Sequence, residues 1–318
     1  FGMPLGKELI LNIGNALSQF SKNSNQRGHA GDEIREACAM ITSQDWGPLR
    51  DAAFSISNAA LSGVVNSIDD YLESHNANSH IVKLGKLAIA REILAAEVKA
   101  KVNFSRHGPA AARDTWAVKL FAKMSENVAA NTPERFAKNC RFIVFNYDRC
   151  LEHFFEQALR LRFGLSPTRA NEIVSKLEIV HPYGKIADIP PHGKRPDSSE
   201  LPFGNEKYAD KLWDLSERIK IYTERTEKND SVLATARNYI ALSERIVFLG
   251  FAFQRQNIDF IFNEMNPLTP EEKTCFGTMM GMSKVNQDQI NRALRDKVII
   301  RKQFFGDEST GAANYIDS

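Results

Sequence analysis

Hydrophobic and polar positions change their period once along this chain. From Asp32 to about Asn131, apolar residues recur every three or four positions without strand-like alternation, which predicts helices nearly throughout. After residue 140, short apolar runs alternate with helix-spaced segments, a pattern typical of parallel strands joined by helices. A further helix is predicted to begin near Gly6. The clearest stripes in the helical part are Ala60, Leu61, Val64, Val65, Ile68 and Leu72, and then Ile89, Ile93, Leu94 and Val98.

The stretch from Phe142 to Asp148 organises the second part of the chain. It begins with a continuous apolar run of strand length, which fits a central parallel strand covered on both faces. Helix spacing follows at once, and Gly164 is a natural stop for that helix. Asn146, Tyr147 and Asp148 are therefore predicted at the carboxyl end of a strand, where open α/β sheets bind their ligands.

Two further predicted strands end on polar or glycine-containing tips. Leu177–Val180 is followed by His181-Pro182-Tyr183-Gly184, and Arg245–Phe253 contains the turn at Gly250. A glycine turn that leads into a helix suits a pyrophosphate, because unpaired N–H groups and the helix dipole favour anions. Asn and Asp side chains can hydrogen-bond a ribose, and a histidine can act as a base near neutral pH. Together the three tips predict a nucleotide site.

Each of these residues also has a local explanation. Asp148 could simply cap its helix, and Asn146 could serve a turn. His181 could be a satisfied loop histidine, and Gly250 could allow close packing. Asp69, on a predicted helix with one apolar face, could belong to a solvated surface. Only the combination favours a shared site.

Three remaining segments complete the prediction. Ile219–Tyr222 is predicted as a minor strand, and Thr274–Met280 as a strand that precedes a helix capped by Ser283. Residues 187–206 contain several prolines and predict an irregular loop. A doubly wound domain normally opens with a strand, so we expect a first strand and its glycine turn before Phe1.

Composition narrows the function classes. The 318 residues carry 41 basic and 39 acidic side chains, so no electrostatic attraction to nucleic acid or to a membrane surface is expected. The four cysteines are scattered without a CxxC pair, which argues against a zinc ribbon and a disulfide scaffold and favours a reducing cytoplasm. No apolar run approaches the roughly 20 residues that span a bilayer.

In this order and spacing, the three tips resemble a known family. Phe145-Asn146-Tyr147-Asp148, His181-Pro182-Tyr183-Gly184 and Phe248-Leu249-Gly250-Phe251-Ala252-Phe253 are similar to motifs of the sirtuin-like family, in its bacterial NAD-hydrolysing defence branch. Phe1-Gly2-Met3-Pro4-Leu5-Gly6 looks like the segment after that family's first glycine turn, and Ser67-Ile68-Asp69-Asp70-Tyr71-Leu72 and Asp114-Thr115-Trp116 look like signatures of its helical lobe.

The resemblance implies a single sirtuin-like catalytic domain over residues 1–318, with a Rossmann-like, mostly parallel sheet in residues 141–300 and an inserted helical lobe in residues 32–131. It implies that Asn146 and His181 cleave NAD and that Asp148 helps to hold the nicotinamide end. Gly250 and Phe251 would approach the phosphates and ribose. The segment Thr278–Met282 would lie near the adenine. Pro4 and Asp69 are further implied cofactor-binding residues.

The implied function is an NAD glycohydrolase that cleaves the nicotinamide–ribose bond and depletes NAD in antiphage defence. NAD is then the substrate, and no zinc is expected because the four-cysteine module of deacylating sirtuins is absent. The resemblance also implies a homo-oligomer, with a helicase-like ATPase or another defence protein among the partners. Two alternatives stay open: a sensor module that binds NAD or ADP-ribose without turnover, and an NAD-dependent protein deacylase.

Overall fold

The computed structural model describes residues 1–21, 30–39, 46–225, 231–262, 272–278, 282–297 and 300–305. Its helices are α1 (Gly6–Ser21), α2 (Ala30–Ala39), α3 (Trp46–Leu61), α4 (Ile68–Ser74), α5 (Ser79–Lys99), α6 (Phe104–His107), α7 (Trp116–Met124), α8 (Cys150–Phe163), α9 (Pro167–Val174), α10 (Leu212–Ser216), α11 (Ser231–Ala241), α12 (Arg255–Phe262) and α13 (Lys284–Lys297). Its strands are β1 (Arg141–Ile143), β2 (Glu178–Val180), β3 (Arg245–Phe248), β4 (Lys273–Gly277) and β5 (Ile300–Phe305). The chain is thus a mostly helical α/β protein with short strands.

The chain divides into two compact units. The first unit comprises Phe1–Ala112, Phe145–Ser175 and Tyr183–Glu227, and the second comprises Arg113–Val144, Lys176–Pro182 and Lys228–Ser318. All five strands belong to the second unit. The chain crosses between the units immediately after Val144 and again after Pro182.

The core of the first unit is built by helices around α5, whose residues from Leu84 to Leu94 are mostly buried. Helices α1 and α3 approach closely at Gly14, where an added Cβ would lie 2.9 Å from the Cβ of Ala60, and the hydroxyl of Ser57 donates to the Gly14 carbonyl at 2.9 Å. The predicted helix from Gly6 and the buried stripe on α5 are confirmed.

The predicted stripe from Ala60 to Leu72 is wrong as one continuous helix face. Helix α3 ends at Leu61 and α4 begins only at Ile68. Ile68 and Leu72 are buried, but Leu61 and Val64 are 43% and 81% exposed. Spacing alone did not reveal this break, because no proline marks it and the glycine at position 63 is tolerated inside helical patterns.

The strands of the second unit are parallel, as the alternating pattern predicts. β1 pairs with β2, with Ile143 opposite Val180, and β3, β4 and β5 pair in that order. The strands are shorter and more exposed than predicted. β1 is half-buried throughout, and β3 ends at Phe248 with Val247 54% exposed, so the expectation of central strands covered on both faces is wrong for these residues.

Two other predictions can be compared with the structure. Ile219–Tyr222 is not a strand: the Ile219 N–H donates to the Ser216 carbonyl in a turn, and a 3₁₀ helix covers Tyr222–Arg225. The predicted strand at residues 274–280 corresponds to β4, and Ser283 accepts from the Asn286 N–H at the start of α13. Residues 279–281 lie outside the described part of the chain. No described helix has both the length and the apolar character needed to span a membrane.

Candidate active-site turn

Residues Asn146–Arg149, the Asn146 turn, join the end of the first strand to helix α8. Asn146 is exposed, whereas Tyr147, Asp148 and Arg149 are 7%, 5% and 0% exposed. The helix that follows is confirmed, and it ends as predicted at Gly164, which adopts a left-handed conformation. In this turn the Asn146 amide is therefore exposed to solvent, and the three residues that follow it are buried.

Asp148 fixes the start of α8. Its carboxylate accepts a hydrogen bond from the Cys150 N–H at 3.0 Å, one of the donors that the first turn of a helix leaves without a helical partner. The N-cap residue itself is Arg149, so the Asp148 side chain supplies this hydrogen bond from one position before the cap that the sequence predicted as its alternative role. A carboxylate held in this way is a rigid part of the turn.

Arg149 anchors the turn through an ion pair with Glu97 of α5. Both side chains are completely buried, and the Glu97 carboxylate accepts from Nε of Arg149 at 3.1 Å and from its backbone N–H at 3.0 Å. Burial raises the pKa of Glu97, while the Arg149 charge opposes that rise. The guanidinium also donates to the carbonyls of Asp188 and Leu201 and lies 5.7 Å from the Phe203 ring centroid. The ion pair thus joins the turn to the helical core and to the proline-rich loop.

Sequence reasoning missed this ion pair, although a signal existed. Glu97 follows Ile93 by four positions and Leu94 by three, which places a carboxylate on the apolar face of α5. A buried carboxylate requires a cationic partner. The partner lies 52 residues away and could not be identified from spacing.

Tyr147 links the turn to the helical lobe. Its hydroxyl donates to Oδ1 of Asp69 at 2.6 Å, and its backbone carbonyl accepts from the Ile186 N–H at 2.9 Å. Asp69 lies in the first turn of α4, whose N-cap residue is Ser67. Two motifs 78 residues apart in sequence are thereby brought together, and Tyr147, which the sequence analysis left without a role, is the residue that joins them.

The chain segment that follows β2 also packs on this turn. The Tyr183 ring lies 5.9 Å from the Phe145 ring, and the Tyr183 carbonyl accepts from the Lys220 N–H at 2.9 Å. Gly184 has φ +88°, and an added Cβ would lie 2.0 Å from the carbonyl oxygen of Arg218. His181 directly follows β2, is 9% exposed and belongs to the second unit.

Gly250 and Phe251 form a separate turn in the second unit. Gly250 has φ +62°, and its N–H donates to Oγ1 of Thr278 at 3.1 Å. Phe251 packs with Phe248 and Phe253 at ring distances of 5.0 to 5.5 Å. The helix expected after the glycine turn is present as α12, which begins at Arg255.

Pro4 lies in the irregular segment before α1 and is half-buried. The segment is held at its start, where the Phe1 carbonyl accepts from the Lys101 N–H at 2.9 Å and the Phe1 ring lies 6.4 Å from that of Phe154. Pro4 therefore belongs to the same unit as Asp69 and the Asn146 turn.

Within the described ranges, no three His, Cys, Asp or Glu side chains cluster closely enough to hold a metal ion. No protein-family model matches the chain, and no match is found among curated proteins or solved structures. Functional assignment therefore depends on the residues and their geometry.

Proposed function

We propose that this protein is an NAD glycohydrolase that cleaves the bond between nicotinamide and ribose. The observation that carries the proposal is the Asn146 turn: one exposed amide precedes three buried residues, which are held by Asp69, by Glu97 and by the start of α8. Cleavage of this bond gives an oxocarbenium-like sugar, so the enzyme must hold the ribose in a fixed orientation. A rigidly supported amide provides such a contact.

A role for His181 in the same chemistry is supported by the resemblance of its motif. His181 directly follows β2, whose Val180 pairs with Ile143 of β1. Asn146 then positions the ribose or the attacking water, and His181 accepts a proton from that water or from a ribose hydroxyl. Such acid–base assistance contributes on the order of 10² to 10⁴ in rate.

The proposal includes a Rossmann-like arrangement of the strands. Among the described residues, β1 and β3 each pair with a strand on one side only. A further parallel strand that pairs with both open edges would join the two sheets into one doubly wound sheet, with Gly250 and Phe251 near the phosphates.

The biological setting follows from the chemistry and from the resemblance of the motifs. An enzyme that consumes NAD without a second substrate would deplete a cytoplasmic cofactor, which suits antiphage defence. Such an enzyme must be restrained until infection, and assembly into a homo-oligomer or contact with another defence protein would provide that control.

The test is to incubate the purified full-length protein with NAD and to measure free nicotinamide and ADP-ribose by chromatography. We expect nicotinamide release without any peptide substrate. His181→Ala should lower turnover at least 100-fold while leaving thermal unfolding close to wild type. The matched control is His107→Ala, since His107 is an exposed histidine of α6, and it should retain wild-type turnover.

Three other outcomes would contradict this assignment. Binding of NAD without nicotinamide release would indicate a sensor module, and release that requires an acyl-lysine peptide would indicate a deacylase. Comparable turnover in His181→Ala would remove His181 from the mechanism.

A further inference from the structure

We propose that Tyr147 and Asp69 form a positioning pair, in which the hydrogen bond between their side chains fixes the backbone that carries Asn146. The inference rests on the proposed function, because Asn146 is there the residue that meets the ribose. It assigns Asp69 a supporting role in place of direct contact with the cofactor.

The Tyr147 side chain spans from the core of the first unit to its surface. The ring belongs to the buried apolar core and is 7% exposed, whereas the hydroxyl reaches the exposed residue Asp69 at 2.6 Å. A tyrosine that buries its ring and hydrogen-bonds its hydroxyl has little remaining freedom. The position of α4 is thereby transmitted to the residue that follows Asn146.

The backbone of Tyr147 is fixed as well. Its carbonyl accepts from the Ile186 N–H at 2.9 Å, so the residue is held at the end of its side chain and at its main chain. Asn146 is attached directly to this doubly held residue. Because catalytic groups must be held within about 0.5 Å of their productive geometry, small movements of Tyr147 should appear in the rate.

The electrostatics agree with Tyr147 as the donor. Burial, followed by the nearby Asp69 charge, raises the pKa of Tyr147 well above its usual value, so the phenol keeps its proton. Although Asp69 as a whole residue is exposed, desolvation of its carboxylate raises the pKa of Asp69, and the hydrogen bond from Tyr147 opposes that rise. The Asp69 oxygen that accepts this bond is already committed to the phenol.

The pair can be broken without removing the other supports of the turn. Asp148 still accepts from the Cys150 N–H, and Arg149 remains paired with Glu97. Tyr147→Phe keeps the buried ring and loses only the hydroxyl. The matched control is Tyr71→Phe, because the Tyr71 hydroxyl also hydrogen-bonds within the helical lobe, to Oγ of Ser55 at 2.8 Å.

The experiment measures kcat and KM for NAD in wild type, Tyr147→Phe, Asp69→Asn, Asp69→Ala, the double variant Tyr147→Phe/Asp69→Ala and Tyr71→Phe. We expect Tyr147→Phe to lower kcat about 10- to 100-fold with KM within about twofold. Asp69→Asn keeps an acceptor oxygen, so its kcat should fall less than that of Asp69→Ala. The double variant should be no slower than the slower single variant, because both changes remove one interaction. Tyr71→Phe should match wild type.

Several results would overturn the inference alone, with the wild type still cleaving NAD. Full kcat in Tyr147→Phe would do so, and so would additive losses in the double variant or a selective rise of KM in Asp69→Asn, which would indicate direct cofactor contact. A second measurement does not depend on turnover: amide hydrogen exchange at residues 145–148 should accelerate in Tyr147→Phe but not in Tyr71→Phe. Unchanged exchange would overturn the pair even if the protein proved not to cleave NAD.

Discussion

Arg149 and Glu97 form an ion pair whose two side chains are both completely excluded from solvent. Replacing Glu97 with Gln leaves the Arg149 guanidinium buried without a compensating charge, and such a loss typically costs about 3–5 kcal/mol. We therefore expect Glu97→Gln to lower the free energy of unfolding by about that amount, measured by urea denaturation followed by circular dichroism.

An exposed pair in the same unit provides the control for this measurement. Arg106 and Glu206 approach to 2.6 Å, but their side chains are 48% and 68% exposed. Exposed pairs contribute about 0–1 kcal/mol, so Glu206→Gln should remain within that range of wild type. If the two substitutions had equal effects, the buried pair would not be the main anchor of the Asn146 turn.

Asn146→Ala tests the catalytic turn itself. Because Asn146 is exposed and the next three residues keep their supports, the variant should fold like wild type. We expect nicotinamide release to fall about 100-fold or more, since the variant lacks the group that orients the ribose or water. Asn58→Ala, on an exposed face of α3, removes an amide elsewhere in the same unit and should retain activity. Retained activity in Asn146→Ala would exclude the proposed role.

The sequence predicted local features of this protein well. The helix after Arg149 and its stop at Gly164 are set by neighbouring residues and short-range periodicity. The same applies to Asp148, whose bond to the Cys150 N–H spans only two positions. Where the deciding interactions are local, the pattern of residues is sufficient.

Long-range partners were not predictable in the same way. The apolar run after Arg141 does not reveal that regular pairing ends at Ile143, because strand length depends on the neighbouring strand. Ile219 and Ile221 have strand-like composition but are buried in a turn, where tertiary packing determines their conformation. The Tyr147–Asp69 and Arg149–Glu97 contacts join residues 78 and 52 positions apart, which no spacing rule connects.

Gly184 should tolerate substitution poorly. Its φ of +88° disfavours any L side chain, and the added Cβ would lie 2.0 Å from the Arg218 carbonyl oxygen. Strain and overpacking together should cost about 2–5 kcal/mol in Gly184→Ala, measured by urea denaturation. Gly193 has a similar φ of +78° but open space around it, so Gly193→Ala should cost only about 1–2 kcal/mol. If Gly184→Ala and Gly193→Ala lowered the free energy of unfolding equally, the close approach to Arg218 would be relieved at little cost.

His153 should make the protein sensitive to moderate acid. Burial, followed by the charge of Arg149, lowers its pKa to about 3, and its ring stacks on Phe203 at 4.1 Å. Between this value and the ordinary pKa near 6.5, the unfolded chain binds a proton that the folded chain does not, so stability falls as the pH falls. The loss is at most about 1.4 kcal/mol per pH unit. His153→Phe keeps an aromatic ring at this position, and its free energy of unfolding should therefore decline less than that of wild type between pH 7 and pH 5. The free energies of unfolding are measured by urea denaturation at each pH. If wild type and His153→Phe lost the same amount between pH 7 and pH 5, protonation of His153 would not destabilise the fold.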